Sequence, residues 1–379
     1  MNQHFLLRPD VVFLNHGSYG ACPRPVFETY QNWQRELELQ PVEFLNRRYR
    51  GLMETARAEL AAYLHITKNN LVYVTNATTG VNIVARSLPL KAGDEVLGTN
   101  HEYGAVDRTW RFLNGKTGAV YLNHPMPLPM TTPEEFIENF WQAVTPRTKI
   151  ISLSHITSPT ALIFPLKEIC RRAREAGILT VIDGAHAPGQ IPLDLPDIGA
   201  DFYAGNCHKW LCAPKGAGFL YARPEVQPLL EPLVVSWGYE SLVPSDSRFV
   251  DWQEFLGTRD IANFLSVPAA IQFQKEHNWA EISQTCHQML VELRQEMQDL
   301  TGLPHPCPED WFAQMAIIPV PPCDVVSLKN YLWDEHKIEV PVINWDNQQF
   351  VRVSVQAYNT PQDLTALVSA LKNFFKFPA

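Results

Sequence analysis

The sequence predicts an α/β fold, with a mainly parallel sheet covered by helices on both faces, followed by a smaller α+β part. Three observations lead there. Short apolar runs of strand length alternate with helical patterns between residues 71 and 222. Two of those runs end on residues suited to chemistry, one on Asp183 and one just before His208-Lys209. The texture then changes after Ile261, where a long helical stretch is followed by short strands and a final helix.

Taken in order, residues 25–64 place apolar side chains at three- and four-residue steps, a helical period. Leu71–Val74 is a strand and residues 79–87 a helix. Residues 94–98 form a strand and 105–113 a helix; 119–122 form a strand and 132–144 a helix, with Pro133 near its start. Residues 149–154 form a strand, and residues 166–176 a helix closed by Gly177. Strands follow at 178–182 and 202–205, then an outgoing hairpin-type strand at Gly218–Ala222. Residues 262–300 read as helix with a break near Asn278, followed by strands at 316–318, 338–343 and 350–354 and the helix Pro361–Phe375. Alternating strands and helices give a parallel sheet with both faces covered. The expected division is a large domain over residues 15–260 and a small one over 261–379 together with 1–14.

Composition narrows the function classes. The chain has 379 residues, 46% of them hydrophobic, and a net charge of −9. Without a long basic run, nucleic acid and anionic membranes are not expected partners. No stretch approaches the ~20 apolar residues of a membrane span, and residues 1–8 carry no apolar signal core. The seven cysteines, at positions 22, 170, 207, 212, 286, 307 and 323, include no C-x-x-C pair. Reduced thiols and a cytoplasmic protein are therefore expected.

In parallel sheets of this kind, ligands sit beyond the carboxyl ends of the strands. Asp183, His186, His208 and Lys209 fall there. A lysine paired with an acid at the end of a buried strand is how a protein holds pyridoxal phosphate. The lysine bonds the aldehyde as a Schiff base, and the acid keeps the pyridine nitrogen protonated so that the ring accepts electrons. Lys215 is the competing lysine, set in a Pro/Gly turn. Asn76-Ala77-Thr78-Thr79-Gly80 joins a strand to a helix and reads either as a phosphate cradle, with Thr78 and Thr79 as donors, or as a plain helix cap. Arg352, between apolar neighbours in a strand, calls for an anion: a substrate carboxylate or an internal salt bridge. Tyr103 and His101 are both placed to stack on a flat ring. A metal site built from His155, Asp183, His186 and His208 is the reading from a different class, a metal-dependent hydrolase, although no ligand spacing supports it.

Together these segments resemble the class V aminotransferase superfamily of fold type I pyridoxal phosphate enzymes, nearest the isopenicillin N epimerase-like and cysteine desulfurase-like branch. The resemblance is carried by Phe13-Leu14-Asn15-His16-Gly17-Ser18-Tyr19-Gly20, Asn76 to Gly80, Ser154 to Thr160, Asp183-Gly184-Ala185-His186, His208-Lys209-Trp210, Gly257-Thr258-Arg259-Asp260 and Val351-Arg352-Val353-Ser354. It implies a mainly parallel, seven-stranded-type sheet sandwiched by helices, with a smaller α+β C-terminal domain. Lys209, Asp183 and His186 would be catalytic, His186 lying on the O3′ side of the ring. Thr78, Thr79 and His208 would bind the cofactor phosphate, Tyr103 would stack on the ring, and Ser158 would lie near O3′. Thr258 would reach the phosphate in a partner subunit, implying a homodimer. Arg352 would grip the substrate α-carboxylate, and Asn15 and His16, with Gly17, would line the entrance. One departure stands out: desulfurases carry a cysteine on the loop before the carboxylate-binding arginine, and residues 343–349 have none. The expected activity is epimerase-like chemistry at an amino-acid α-carbon, with a C–S lyase or an aminotransferase as alternatives.

Overall fold

The structure, a computed structural model, describes residues 1–377. The last two residues of the expected small domain, Pro378 and Ala379, lie outside the described residues.

Its centre is a seven-stranded sheet in the order Leu71–Val74, Gly218–Ala222, Phe202–Asn206, Leu179–Gly184, Thr148–Ser154, Glu95–Thr99 and Val120–His124. Gly218–Ala222 runs antiparallel to both neighbours, and every other pairing is parallel. The central strands are buried residue by residue, as a sheet covered on both faces requires. One large apolar cluster and a second one packed under the helix Ala77–Ser87 fill the two faces. That helix crosses the sheet closely enough that a Cβ on Gly80 would lie 2.8 Å from the Cβ of Ala204.

Capping chemistry sets the helix starts. Asn76 accepts the Thr79 amide, Thr132 accepts that of Glu135 with Pro133 in the first turn, and Thr360 and Asp363 form a reciprocal capping box. The expected break near Asn278 is real: this residue adopts φ +48° between the helices Val267–Glu276 and Trp279–Thr301.

Three expected elements are divided; the stretch 262–300 has, besides the break at Asn278, another at Ser266 between Ala262–Leu265 and Val267–Glu276. The helical run over 25–64 is Arg24–Leu39, a π-helical turn Glu43–Arg48 and Tyr49–Tyr63. Gln40, at φ −155° and ψ +84°, ends the first helix, and the Pro41 that follows it disfavours helical backbone at that position. The strand expected over 338–343 is two strands. Ile338–Glu339 pairs in parallel with Val12–Phe13, whereas Val342–Trp345 pairs antiparallel with Gln348–Ser354. Pro341 has no N–H to continue a ladder, but its carbonyl accepts the Arg352 amide at 2.9 Å. Gln348–Ser354 also pairs with Met315–Val320, making a three-stranded antiparallel sheet. No helix among the described residues is long and apolar enough to cross a membrane.

Candidate functional site

At the carboxyl ends of the central strands lies a cavity of about 540 Å3. The connection from Phe202–Asn206 to its antiparallel return strand carries His208, Lys209 and Lys215, and all three line it. The connection is held by its own backbone. The amides of Cys207 and His208 both donate to Ala217 O, and Cys212 N donates to Lys209 O. The N-terminal segment presses on the same stretch at Gly20, where φ is +73° and a Cβ would meet His208 O at 2.2 Å.

Lys209 is surrounded by protein, and burial is the first cause that brings its pKa down from 10.5 to about 7; nearby Arg352 pushes the same way and Asp183 opposes it. Its Nζ lies 3.1 Å from His186 Nε2. Asp183 lines the cavity too, paired in register with Ser154 of the next strand. Its Oδ1 accepts the Ala185 amide at 3.0 Å, and burial raises its pKa. Among the described residues, Lys209 and Asp183 form no ion pair, so the carboxylate remains open to another cation. Lys215 also lines the cavity, and among the described residues it has no acidic partner.

The helix Ala77–Ser87 points its N-terminus at this space, and Thr78 lines it. Asn206 Oδ1 takes the Ala77 amide at 2.8 Å, and Asn76 Oδ1 takes that of Thr79 at 2.9 Å. Among the described residues no group takes the Thr78 amide, leaving it available to an anion. Across the cavity, His208 donates from Nδ1 to Ala217 O at 2.9 Å, which leaves Nε2 open; burial holds its pKa down at about 4.

Arg352 is 6% exposed and has no carboxylate partner among the described residues. Its Nη1 donates to the carbonyl and hydroxyl of Ser158, and its Nη2 donates to Ser18 Oγ at 3.2 Å. Its Nε is buried without a partner. Burial lowers its pKa to about 10, yet it stays charged at neutral pH. A buried guanidinium bonded only to neutral oxygens is costly unless an anion joins it. The internal salt bridge that the sequence left open is not there. Ser18 and Ser158, its two partners, line the cavity with Tyr103.

Three expected residues are placed elsewhere. Thr79 bonds Thr75 Oγ1 and Asn76 Oδ1 inside the cap and does not line the cavity. Asn15 is turned away, donating to Glu339 and accepting from Ser18. His16 is fully buried between the Tyr358 hydroxyl and the Lys209 carbonyl, both at 3.0 Å, and does not line the entrance. The short helix His16–Tyr19 rotates those side chains inward and presents Ser18 and Tyr19 instead. Thr258, expected to serve the site of a partner subunit rather than this one, lies in an exposed loop beside Gly257 with φ +105°. Between the two aromatic candidates, Tyr103 lines the cavity. His101 is pinned by Thr160 Oγ1 and Met126 O, both at 2.7 Å, and stacks on Trp345 at 4.3 Å.

The metal constellation is not assembled. His155 bonds Tyr203 and lines a different cavity of about 660 Å3, and no cluster of three ligating side chains suited to a metal ion forms among the described residues. Sequence reasoning missed Ser154, Asn206 and the carboxylate of Glu102. Glu102 is buried and takes bonds from Thr99 Oγ1, Ser154 N and Ser154 Oγ, each at 2.7 Å; burial raises its pKa to about 7. An acid next to Tyr103 in a loop carries no periodic signal that separates it from a surface residue.

The donor set fits pyridoxal phosphate: a near-neutral lysine, a buried acid with an open oxygen, a free amide at a helix N-terminus and an uncompensated arginine. A family model described as aminotransferase class-V matches residues 21–367. Isopenicillin N epimerase from Amycolatopsis lactamdurans is 37% identical, the alignment covering 98% of this chain and 96% of that protein. A probable chloroplastic L-cysteine desulfhydrase from Arabidopsis thaliana is 28% identical over 97% of this chain and 84% of its own length. Among solved structures, a cystine C–S lyase in complex with its product cysteine persulfide superposes with a TM-score of 0.85 at 22% identity, covering 98% of this chain and 99% of the other.

Proposed function

The chain belongs to the class V aminotransferase family of pyridoxal phosphate enzymes, and from that premise we propose that Lys209 moves the α-proton of an amino acid in an isopenicillin N epimerase-like reaction. The observation that carries this reading is Arg352. It is a buried cation without a carboxylate, set in the wall of the cavity that holds Lys209, and an amino acid brings the missing carboxylate.

The bound cofactor supplies an electron sink for the pair left at the α-carbon. Lys209 would hold the cofactor through its aldehyde, and as a neutral amine it can take the α-proton; its pKa of about 7 suits a base working near neutrality. Asp183 would offer its open oxygen to the ring nitrogen, and His186, beside Lys209 Nζ at 3.1 Å, would lie on the O3′ side. The Thr78 amide and His208 would hold the phosphate, whose charge would raise the imidazole's pKa and favour a second donor at Nε2. Tyr103 would stack on the ring. Ser18 and Ser158 orient the guanidinium of Arg352.

A second reading, β-elimination from a cysteine-type amino acid, is favoured by the cysteine desulfhydrase relative. It needs no enzyme thiol. Among the residues lining the cavity there is no cysteine, and where desulfurases carry a thiol loop this chain turns tightly through Asp346 and Asn347, both with positive φ. Thiol-borne sulfur transfer therefore has no support. We further propose a cytoplasmic homodimer, with Thr258 contributed to the partner's site. The division into residues 15–260 and residues 261–379 with 1–14 is likewise a proposal, supported by the pairing of Val12–Phe13 with Ile338–Glu339.

The test is to incubate the purified protein in D2O with L- and D-amino acids and with cysteine and cystine. Deuterium at the α-carbon with loss of optical purity supports epimerisation. Keto acid with sulfide or persulfide supports β-elimination. Arg352→Gln should raise KM by about 100-fold with a smaller change in kcat. An unchanged KM would remove Arg352 from the substrate site.

A further inference from the structure

Two hydrogen bonds in the floor of the cavity run in series. Trp210 Nε1 is 3.3 Å from His186 Nδ1, and His186 Nε2 is 3.1 Å from Lys209 Nζ. An indole nitrogen can only donate. Nδ1 of His186 is therefore the bare nitrogen, and the proton of the neutral ring sits on Nε2. An imidazolium would turn an N–H toward the indole N–H. It is also disfavoured by burial and by the nearby charges of Lys209 and Arg352. The proton on Nε2 then points at Lys209 Nζ, which can accept it only with a free lone pair, as the neutral amine.

The indole has little freedom to leave. Trp210 is fully buried, its ring packs at 4.9 Å against that of His16, and its carbonyl accepts Gln274 Nε2 at 2.8 Å. His16 also donates to the Lys209 carbonyl, so the same clamp fixes both ends of the pair. The backbone of His186 is held as well, its carbonyl accepting Gln190 Nε2 at 2.8 Å.

We propose that Trp210 is a positioning residue that locks His186 in its Nε2–H tautomer, so that His186 presents one hydrogen-bond donor, to Lys209 or to a bound group that takes its place. A donor there favours an uncharged amine on Lys209 or a negatively charged oxygen on a bound group. That consequence rests on the pyridoxal phosphate reading of the site; the tautomer itself does not.

The experiment uses the full-length purified protein labelled with 15N-histidine, with His186 assigned by its loss in His186→Gln. Long-range 1H–15N spectra should show the Nε2–H pattern throughout about pH 6 to 9. Trp210→Phe keeps a ring but loses the N–H, and should convert His186 to a mixture of tautomers. It should also move the pH midpoint of the cofactor absorption band by about one unit. An Nδ1–H pattern in the wild type, or an unchanged His186 pattern in Trp210→Phe, overturns the proposal. If that variant does not fold, the indole proton of Trp210 decides: its resonance must shift in His186→Gln, and indifference to that change is equally fatal. A colourless protein that pyridoxal phosphate does not reconstitute would sink the cofactor reading while leaving the tautomer result intact.

Discussion

Lys209 carries the clearest physical signature of any single residue. An ordinary lysine titrates near 10.5, and burial brings this one to about 7. Between those values the unfolded chain holds a proton that the folded chain has released. Stability of the cofactor-free protein therefore rises with pH across that window, and the penalty is complete below about pH 7. Lys209→Met should stabilise the cofactor-free protein at pH 7 by on the order of 2 kcal/mol after the lost packing is subtracted. The gain should vanish toward pH 10.5, the ordinary lysine value. Denaturant melts of both proteins over that range check the slope; a difference that does not depend on pH means that Lys209 is solvated. The lysine and its acid were legible in the sequence because each ends a strand-like run. The partners of Arg352 were not. Ser18 lies 334 positions from it in sequence and Ser158 lies 194 away, and no local pattern brings them to one guanidinium.

The helix Ala77–Ser87 shows how an element serves the site. Asn76 caps it, and Asn206 from a neighbouring strand takes the amide of Ala77, so the helix start is tied to the strand that leads to Lys209. Asn76→Ala should cost about 1 kcal/mol in a denaturant melt. It should also weaken pyridoxal phosphate binding several-fold, measured by equilibrium dialysis, because the freed Thr79 amide lets the first turn fray. A stability loss with unchanged cofactor affinity would reduce Asn76 to a plain cap. The helices and strands of the central sheet were readable from period and caps. Two of the misread stretches were those where a proline, Pro41 or Pro341, interrupts a continuous apolar pattern. Periodicity registers which face is apolar, but it does not register a proline's restriction of the backbone.

The exposed apolar residues bear on the whole molecule. Between residues 234 and 243 the chain leaves Val235, Trp237, Leu242 and Val243 largely uncovered, Trp237 at 81% and Leu242 at 95%. Such a stretch is costly on a free monomer and suits a second copy of the chain. The protein should sediment as a dimer, and Trp237→Asp with Leu242→Asp should shift it toward monomer. A double variant that stays dimeric would place the interface elsewhere. The α/β class, the order of strands and helices, and the placing of an acid and a lysine at strand ends were readable from the amino-acid order, because these depend on period, caps and chain direction. Only packing put Ser18 at the cavity in place of Asn15 and His16, left Arg352 without a carboxylate among the described residues, and brought Trp210 to His186. Those outcomes depend on which side chains distant segments bring within hydrogen-bonding reach. That reach is set by packing in three dimensions, which neighbouring residues in the chain do not encode.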